Sequence, residues 1–178
     1  MEAVLQPKIS VLIPCYNREE TISRCIESAA TQDYENLEII VSDNASTDAT
    51  WELVSRLAEA HKRVKIFRNS ENLGPFSNWR CCLTVATGDF VHWLWSDDWI
   101  EAGFYSEAAR RLRSDKSQVV TTWNYRNDPG RERYISWRYS FDTESGIVAA
   151  RKVFAMTMEL PVSPAAYLIP RESAGVLM

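Results

Sequence analysis

The sequence predicts an α/β domain built as a mostly parallel sheet flanked by helices. Three observations carry that expectation. Short β-branched runs such as Ile9 to Ile13 and Leu37 to Val41 are apolar except at Ser10 and Glu38, as in strands buried on both faces. Each is followed by a segment whose apolar residues recur at helical spacing. Strand and helix then alternate several times, the pattern of a sheet covered on both sides.

Taken in order, Ile9 to Ile13 is the first strand, and Pro14 is expected to stop it. Asn17, with Glu20 three residues later, predicts a capping box, and Ile22, Cys25, Ile26, Ala29 and Ala30 form one helical face. Leu37 to Val41 is the second strand and Ser42 to Asp48 a polar loop. Trp51, Val54, Leu57 and Ala58 mark a second helix, and Val64 to Phe67 a third strand. Pro75 suits the first turn of a third helix, with Phe76, Trp79, Cys82, Leu83 and Ala86 expected inward and Gly88 closing it.

Phe90 to Trp95 is the fourth strand and runs straight into Ser96-Asp97-Asp98-Trp99. A helix is expected to start near Ile100, with Tyr105, Ala108, Ala109 and Leu112 inward, before a strand at Val119 to Trp123. Beyond Asn124 the pattern thins. Asn127 to Gly130 reads as a turn, Arg133 to Phe141 alternates like a strand, Ala149 to Met158 suits a short helix, and Ser163 to Ile169 suits a last strand before another helix begins.

Composition narrows the function. A length of 178 residues favours one domain able to bury a substantial core. Lys and Arg number 20 against 24 Asp and Glu, with no basic block, so nucleic acid is not an expected partner. No stretch approaches the roughly 18 apolar residues of a membrane span, and Met1 to Lys8 has no signal-peptide layout. A cytoplasmic protein is therefore expected. Cys15, Cys25, Cys81 and Cys82 lack zinc-site spacing and are expected as buried, reduced thiols; His61 and His92 form no ligand cluster, and His92 reads as a core histidine.

Right-handed crossovers bring the loops Pro14–Asn17, Asp43–Asp48 and Ser96–Trp99 to one rim of the sheet, where open α/β sheets bind ligands. An acidic pair there is placed to hold a divalent cation on a phosphorylated ligand. Its other reading is a cap for the helix expected near Ile100. Asp48 reads as a helix cap, and Asp43 as either a turn residue or a ligand contact.

Three stretches, Ser10 to Asn17, Glu38 to Asp48, and Ala86 to Asp89 running into Ser96-Asp97-Asp98, together resemble the N-terminal part of family 2 glycosyltransferases, joined by Asn72-Leu73-Gly74 and Asn78. The resemblance covers about two-thirds of the chain. It implies the GT-A fold, with 1–123 as the nucleotide-binding half and 124–178 as the start of an acceptor half within a single domain, incomplete at its C-terminus. It implies a nucleotide site formed by Pro14, Tyr16, Asn17, Asp43, Asn44 and Asp97, Tyr16 stacking on the base. Asp98 is the implied ligand of Mn²⁺ or Mg²⁺.

Two departures stand out. Trp95 replaces a carboxylate often found two residues before Asp97, and Asn44 stands where many members carry an Asp that reads a uracil edge. An amide both donates and accepts, so Asn44 could suit a cytosine edge as well as uracil or thymine. Trp99 is the best-placed tryptophan for a sugar contact; Arg80 could reach the diphosphate or simply be solvated.

The implied reaction moves a sugar from a nucleotide-diphosphate sugar to a glycan or lipid-linked hydroxyl acceptor, inverting the anomeric carbon. The general base is unassigned: Asp128, Glu132, Asp142, Glu144, Glu159 and Glu172 have no family context, and the base is expected beyond Met178. The expected partners are thus a nucleotide sugar and a glycan or lipid-linked acceptor, with membrane association possible at the inner face through further segments. A non-catalytic nucleotide-sugar-binding module is the alternative. A dinucleotide-dependent dehydrogenase is disfavoured because no GxGxxG follows the first strand, and a nucleotidyltransferase because the first loop is neither Gly-rich nor basic.

Overall fold

The computed structural model describes residues 6–111, 120–121, 125–126, 132–133 and 167–174. In chain order these form β1 (Ile9–Cys15), α1 (Ile22–Ala30), β2 (Leu37–Asp43), α2 (Thr50–Ala60), β3 (Val64–Arg68), α3 (Pro75–Val85), β4 (Phe90–Trp93) and α4 (Phe104–Arg111). Four short strands follow, β5 (Val120–Thr121), β6 (Tyr125–Arg126), β7 (Glu132–Arg133) and β8 (Tyr167–Pro170), and then α5 (Arg171–Ala174).

The main sheet has the order β3-β2-β1-β4-β8-β5. Its first four strands are mutually parallel, whereas β8 runs antiparallel to both β4 and β5. A small antiparallel ribbon pairs β6 with β7. The central strands β1 and β2 are buried at every position, which is why their sequences are mostly apolar rather than alternating, and the polar residues among them, Ser10, Glu38, Ser42 and Asp43, are buried too. Edge strand β3 is buried mainly at Val64.

Chain direction decides which face each helix covers. The crossovers through α1 and α2 both step from β1 toward β3, so right-handedness places them on one face; α3 returns from β3 to β4 and covers the other. Ile9, Val11, Ile13, Ile39 and Val41 accordingly join Ile22, Cys25, Ile26, Val54 and Leu57 in one apolar cluster, extended by Tyr105, Ala108 and Ala109. Each Val, Leu or Ile among them contributes about 1.5–3 kcal/mol by leaving water.

His92 is indeed a core residue: buried in β4, its Nδ1 lies 2.7 Å from the Tyr105 hydroxyl. All four cysteines are free; three are buried and Cys81 is half-buried.

Several boundaries differ from the sequence expectation for identifiable reasons. Pro14 does not stop β1 but lies within it, because its missing N–H faces the side where the β4 ladder has already ended at the Leu12–Trp93 pair. Asn17 does not cap α1: residues 18–21 form a turn first, and the helix begins at Ile22 behind Thr21. No helix starts near Ile100; α4 begins at Phe104, so neither Asp97 nor Asp98 serves as its cap.

The buried face of α3 also differs. Cys82 is buried as expected, but Phe76 is 65% exposed and Asn78 points inward instead. Gly88 lies beyond the end of α3 at Val85, and its role is close approach: a Cβ there would stand 2.7 Å from the Ser10 nitrogen and 2.8 Å from the Lys8 carbonyl oxygen. The expected turn at 127–130, helix at 149–158 and most of the strand at 133–141 lie outside the described residues.

Candidate functional site at the sheet switch point

Because β2 and β3 lie to one side of β1 and β4 to the other, the chain reverses its winding between β1 and β4. A crevice is expected beyond the carboxyl ends of strands at such a point. Here it is framed by residues 15–18 after β1 and 95–98 after β4, with residues 43–48 beyond β2.

These loops are bonded to one another. Thr21 donates its hydroxyl to the Ser96 carbonyl oxygen at 2.9 Å, and Cys25 its thiol to the Trp95 carbonyl oxygen at 3.2 Å. Asn17, in the left-handed region at φ 50°, donates its N–H to Ser46 Oγ and accepts the Thr47 N–H on Oδ1, both at 2.9 Å. Arg18 N donates to Thr50 Oγ1 at 2.7 Å and Glu19 N to Asp48 Oδ2 at 3.2 Å. Asp48 also accepts the Thr50 N–H at 3.0 Å, the cap-like role expected of it; burial alone would raise its carboxyl, but these bonds outweigh that and hold it below the usual range.

Pro14 is buried in β1, while Tyr16 stands exposed on the rim. Asp43 is buried at the end of β2. It accepts the Ser46 hydroxyl and, at 3.1 Å, the Ser46 N–H, and pairs with Arg68 Nε at 3.2 Å. Asn44 is buried too, and every hydrogen-bonding position of its amide is taken within the chain. Nδ2 donates to Asn72 Oδ1 at 2.8 Å and the Gly74 carbonyl oxygen at 3.3 Å; Oδ1 accepts from Asn69 Nδ2 at 2.9 Å and Leu73 N at 3.0 Å.

Beyond β4, the Asp98 N–H bonds the Trp95 carbonyl oxygen at 2.9 Å, turning the chain so that Asp97 is exposed and Asp98 half-buried. Asp97 Oδ2 lies 3.9 Å from an Arg18 guanidinium nitrogen; this Arg also donates to the Asn17 carbonyl oxygen at 3.1 Å. Burial, reinforced by the Asp98 and Asp97 charges, pushes the Cys25 thiol far up, so it stays neutral beneath the acidic loop.

Carboxylate oxygens are suitable donors for Mg²⁺ or Mn²⁺. Among the described residues no three His, Cys, Asp or Glu gather into a metal-holding group. A cation at Asp98 would therefore share the oxygens of a bound diphosphate and water, the usual Mg²⁺ arrangement. The residues fit a cation that arrives with its ligand.

Aromatic residues crowd one flank. Trp79 packs with tilted rings against Trp95 at 4.5 Å, Phe76 at 5.2 Å and the buried Trp93 at 6.1 Å between ring centroids. Trp99 is partly exposed, but one face of its ring carries the Arg24 guanidinium at 3.3 Å. Arg80 is exposed on α3. Of the carboxylates weighed as a base, Glu172 is exposed on α5 and Glu132 stands in β7; Asp128, Asp142, Glu144 and Glu159 lie outside the described residues. Sequence reasoning overlooked Arg18, Thr21, Ser46 and Arg68. Their only sequence signal is position, next to or within the loops that meet at the rim.

Comparison with known proteins agrees with this architecture. The profile described as Glycosyl transferase family 2 matches residues 10–165. An uncharacterised glycosyltransferase of Haemophilus influenzae is 38% identical over 119 residues, 67% of this chain and 47% of that protein. The GalNAc(5)-diNAcBac-PP-undecaprenol beta-1,3-glucosyltransferase of Campylobacter jejuni is 36% identical over 114 residues, 64% of this chain and 37% of that one.

Among solved structures, mannosyltransferase PcManGT from Pyrobaculum calidifontis, in complex with GDP-Man and Mn²⁺, superposes with a TM-score of 0.62 at 28% identity, covering 68% of this chain and 36% of that one. S. aureus TarS 1-349 in complex with UDP-GlcNAc gives 0.68 at 26% identity, covering 92% and 45%. The chain thus spans less than half the length of each of these relatives. It belongs to glycosyl transferase family 2, and its sheet and flanking helices are the GT-A fold.

Proposed function

We propose that this chain carries the donor-binding part of a metal-dependent, inverting glycosyltransferase, which moves a sugar from a nucleotide-diphosphate sugar to a hydroxyl of a glycan or lipid-linked acceptor. The observation that carries this reading is the meeting of the segment after β1 with the acidic loop after β4 across the switch point, through the Arg18–Asp97 pair and the Thr21–Ser96 bond. The two structural neighbours bind GDP-Man with Mn²⁺ and UDP-GlcNAc, which supports a nucleotide sugar as donor. The name of the C. jejuni relative includes an undecaprenol-linked acceptor, which supports a lipid-linked acceptor. No helix among the described residues is long and apolar enough to cross a membrane.

In this reading Tyr16 stacks on the base above Pro14, and Asn17 and Asp43 shape the loop that meets the nucleoside. Asp97 borders the ribose and diphosphate with Arg18 beside it, and Asp98 holds Mn²⁺ or Mg²⁺. When bound, the cation supplies Lewis-acid stabilisation of the departing diphosphate. An acceptor oxygen forms its bond to the anomeric carbon from the face opposite the diphosphate, and the bond from that carbon to the phosphate oxygen breaks with its electron pair. The hydroxyl proton passes to a carboxylate base on the acceptor side. Arg18, exposed at the mouth, can shift from Asp97 to the phosphate oxygens, because a solvated pair at 3.9 Å is weakly held.

The test is calorimetric titration of UDP-, TDP-, CDP- and GDP-sugars with Mn²⁺, followed by incubation with a polyprenyl-diphosphate-sugar acceptor to detect released nucleoside diphosphate and glycosylated product. Binding of one donor class, abolished by chelation, is expected; release calls in addition for the acceptor-side base. Failure of every donor to bind would overturn the reading, and binding without release would leave a donor-binding module.

A further inference from the structure

Resting on the donor site just proposed, we propose that Asn44 is a positioning residue: its buried amide locks the 69–74 loop across the ends of β2 and β3, and that loop presents the surface facing the base. The geometry leaves Asn44 little else to do. It makes four bonds, two donated and two accepted, and all four partners lie in the 69–74 segment. An Asn amide offers two donors and two acceptor positions, so none remains for a ligand.

The lock continues into the sheet and α3. Asn69 Nδ2 is shared between Asn44 Oδ1 at 2.9 Å and Asn78 Oδ1 at 3.0 Å, and its N–H reaches the Asp43 carbonyl oxygen at 2.9 Å. Asn78, buried in α3, accepts the Ser42 hydroxyl at 2.7 Å. Its Nδ2 donates to the Ser42 carbonyl oxygen at 3.0 Å and the Cys15 carbonyl oxygen at 3.4 Å. Asn72 Oδ1 accepts both Asn44 Nδ2 and, at 2.9 Å, the Gly74 N–H. Gly74, at φ +80°, then hands the chain to Pro75 at the start of α3. One polar network therefore joins the ends of β1 and β2 to the loop and the third helix.

This accounts for an amide, rather than a carboxylate, at position 44. An aspartate can only accept, and it would face the Asn72 Oδ1 and Gly74 carbonyl oxygens, which also only accept. The loop would lose two of the four bonds that tie it to position 44. Strand order also gives the loop an end of the site. It follows β3, about three strand spacings or ~14 Å from the acidic loop after β4, on the far side of β1. A nucleoside diphosphate with its phosphates at Asp98 directs its base toward this loop.

The test compares the chain with its Asn44→Asp and Asn44→Ala variants by calorimetry with UDP, TDP, CDP, GDP and inorganic pyrophosphate, all with Mn²⁺, well below each variant's unfolding midpoint, alongside hydrogen exchange of residues 69–74. Both variants are expected to weaken the preferred nucleotide by about tenfold or more, to keep pyrophosphate within about twofold, and to speed exchange across the loop. A purely structural role would leave the affinity of the folded protein unchanged, and that result overturns the proposal. So does a reordering of nucleotide preference by Asn44→Asp with loop exchange unaltered, which is direct reading of the base. If the unaltered chain binds no nucleotide, the donor site itself is refuted; if it binds and the variants match it, only the role of Asn44 is.

Discussion

The Thr21 hydroxyl bonds the Ser96 carbonyl oxygen at 2.9 Å across 75 residues of chain. With the Cys25–Trp95 bond one turn later, it seats the loop carrying Asp97 and Asp98 on the start of α1. Thr21→Val preserves shape and removes the donor. It is expected to cost about 1 kcal/mol of stability and to weaken Mn²⁺-dependent nucleotide binding about threefold to tenfold. Denaturation and calorimetry on the same variant separate the two effects: lowered stability with unchanged affinity would mean the bond serves the fold alone.

Gly88→Ala tests the packing of β4 on β1. The added methyl meets the Ser10 nitrogen and Oγ, each at 2.7 Å, and the Lys8 carbonyl oxygen at 2.8 Å. Two of these atoms are backbone of the β1 region and cannot turn aside. A loss of about 1–3 kcal/mol is expected from a urea denaturation series; an unaffected midpoint would mean the two segments can part without penalty.

Acid should remove part of the stability through Glu38, at the opposite edge of the sheet from the site. Its side chain, 4% exposed, pairs with Lys65 at 2.8 Å and Lys8 at 3.2 Å and accepts from Ser10 Oγ and the Thr87 N–H, each at 2.6 Å. Burial pushes this carboxyl up, but the bonds from Lys65, Ser10 and Thr87 outweigh burial and hold it far below its ordinary 4.5. A depressed folded value means the stabilisation is present above the unfolded value and is withdrawn as pH falls below it. Glu38→Gln should therefore cost about 1–3 kcal/mol at neutral pH and flatten the decline in stability between about pH 5 and 3. Parallel pH curves for the two proteins would rule this out.

Ala45 sits at φ 60°, a left-handed conformation that disfavours a Cβ. Ala45→Gly is expected to stabilise the chain by up to about 1 kcal/mol, raising Tm by roughly 2–4 °C. A fall in Tm would show that the chain entropy lost with glycine outweighs the relieved strain.

The strands and their order of use were legible because burial on both faces demands mostly apolar runs, as at Val11 to Ile13 and Ile39 to Val41. Convergence of the three loops was legible because crossover handedness leaves little choice. What residue type does not reveal is direction. Helical spacing singled out Phe76 for the core, but the polar ends of β1 and β2 needed an amide there, and α3 turned Asn78 inward. Asn44 was recognisable as a rim residue, yet nothing in its neighbours along the chain showed that its amide faces a loop about 25 to 30 residues later. Gly88 looked like a helix end because close approach between distant segments leaves no local mark. Arg18 escaped notice because its partner Asp97 follows a different strand.

The most direct measurement is calorimetric titration of UDP, TDP, CDP and GDP, with and without Mn²⁺, against the chain and its Asp98→Ala variant. The account predicts that one nucleotide binds in the presence of Mn²⁺ and that Asp98→Ala lowers its affinity to the metal-free level. Binding that is indifferent to both Mn²⁺ and Asp98, or no binding by any of the four, would contradict a metal-assisted donor site at the β1–β4 switch point.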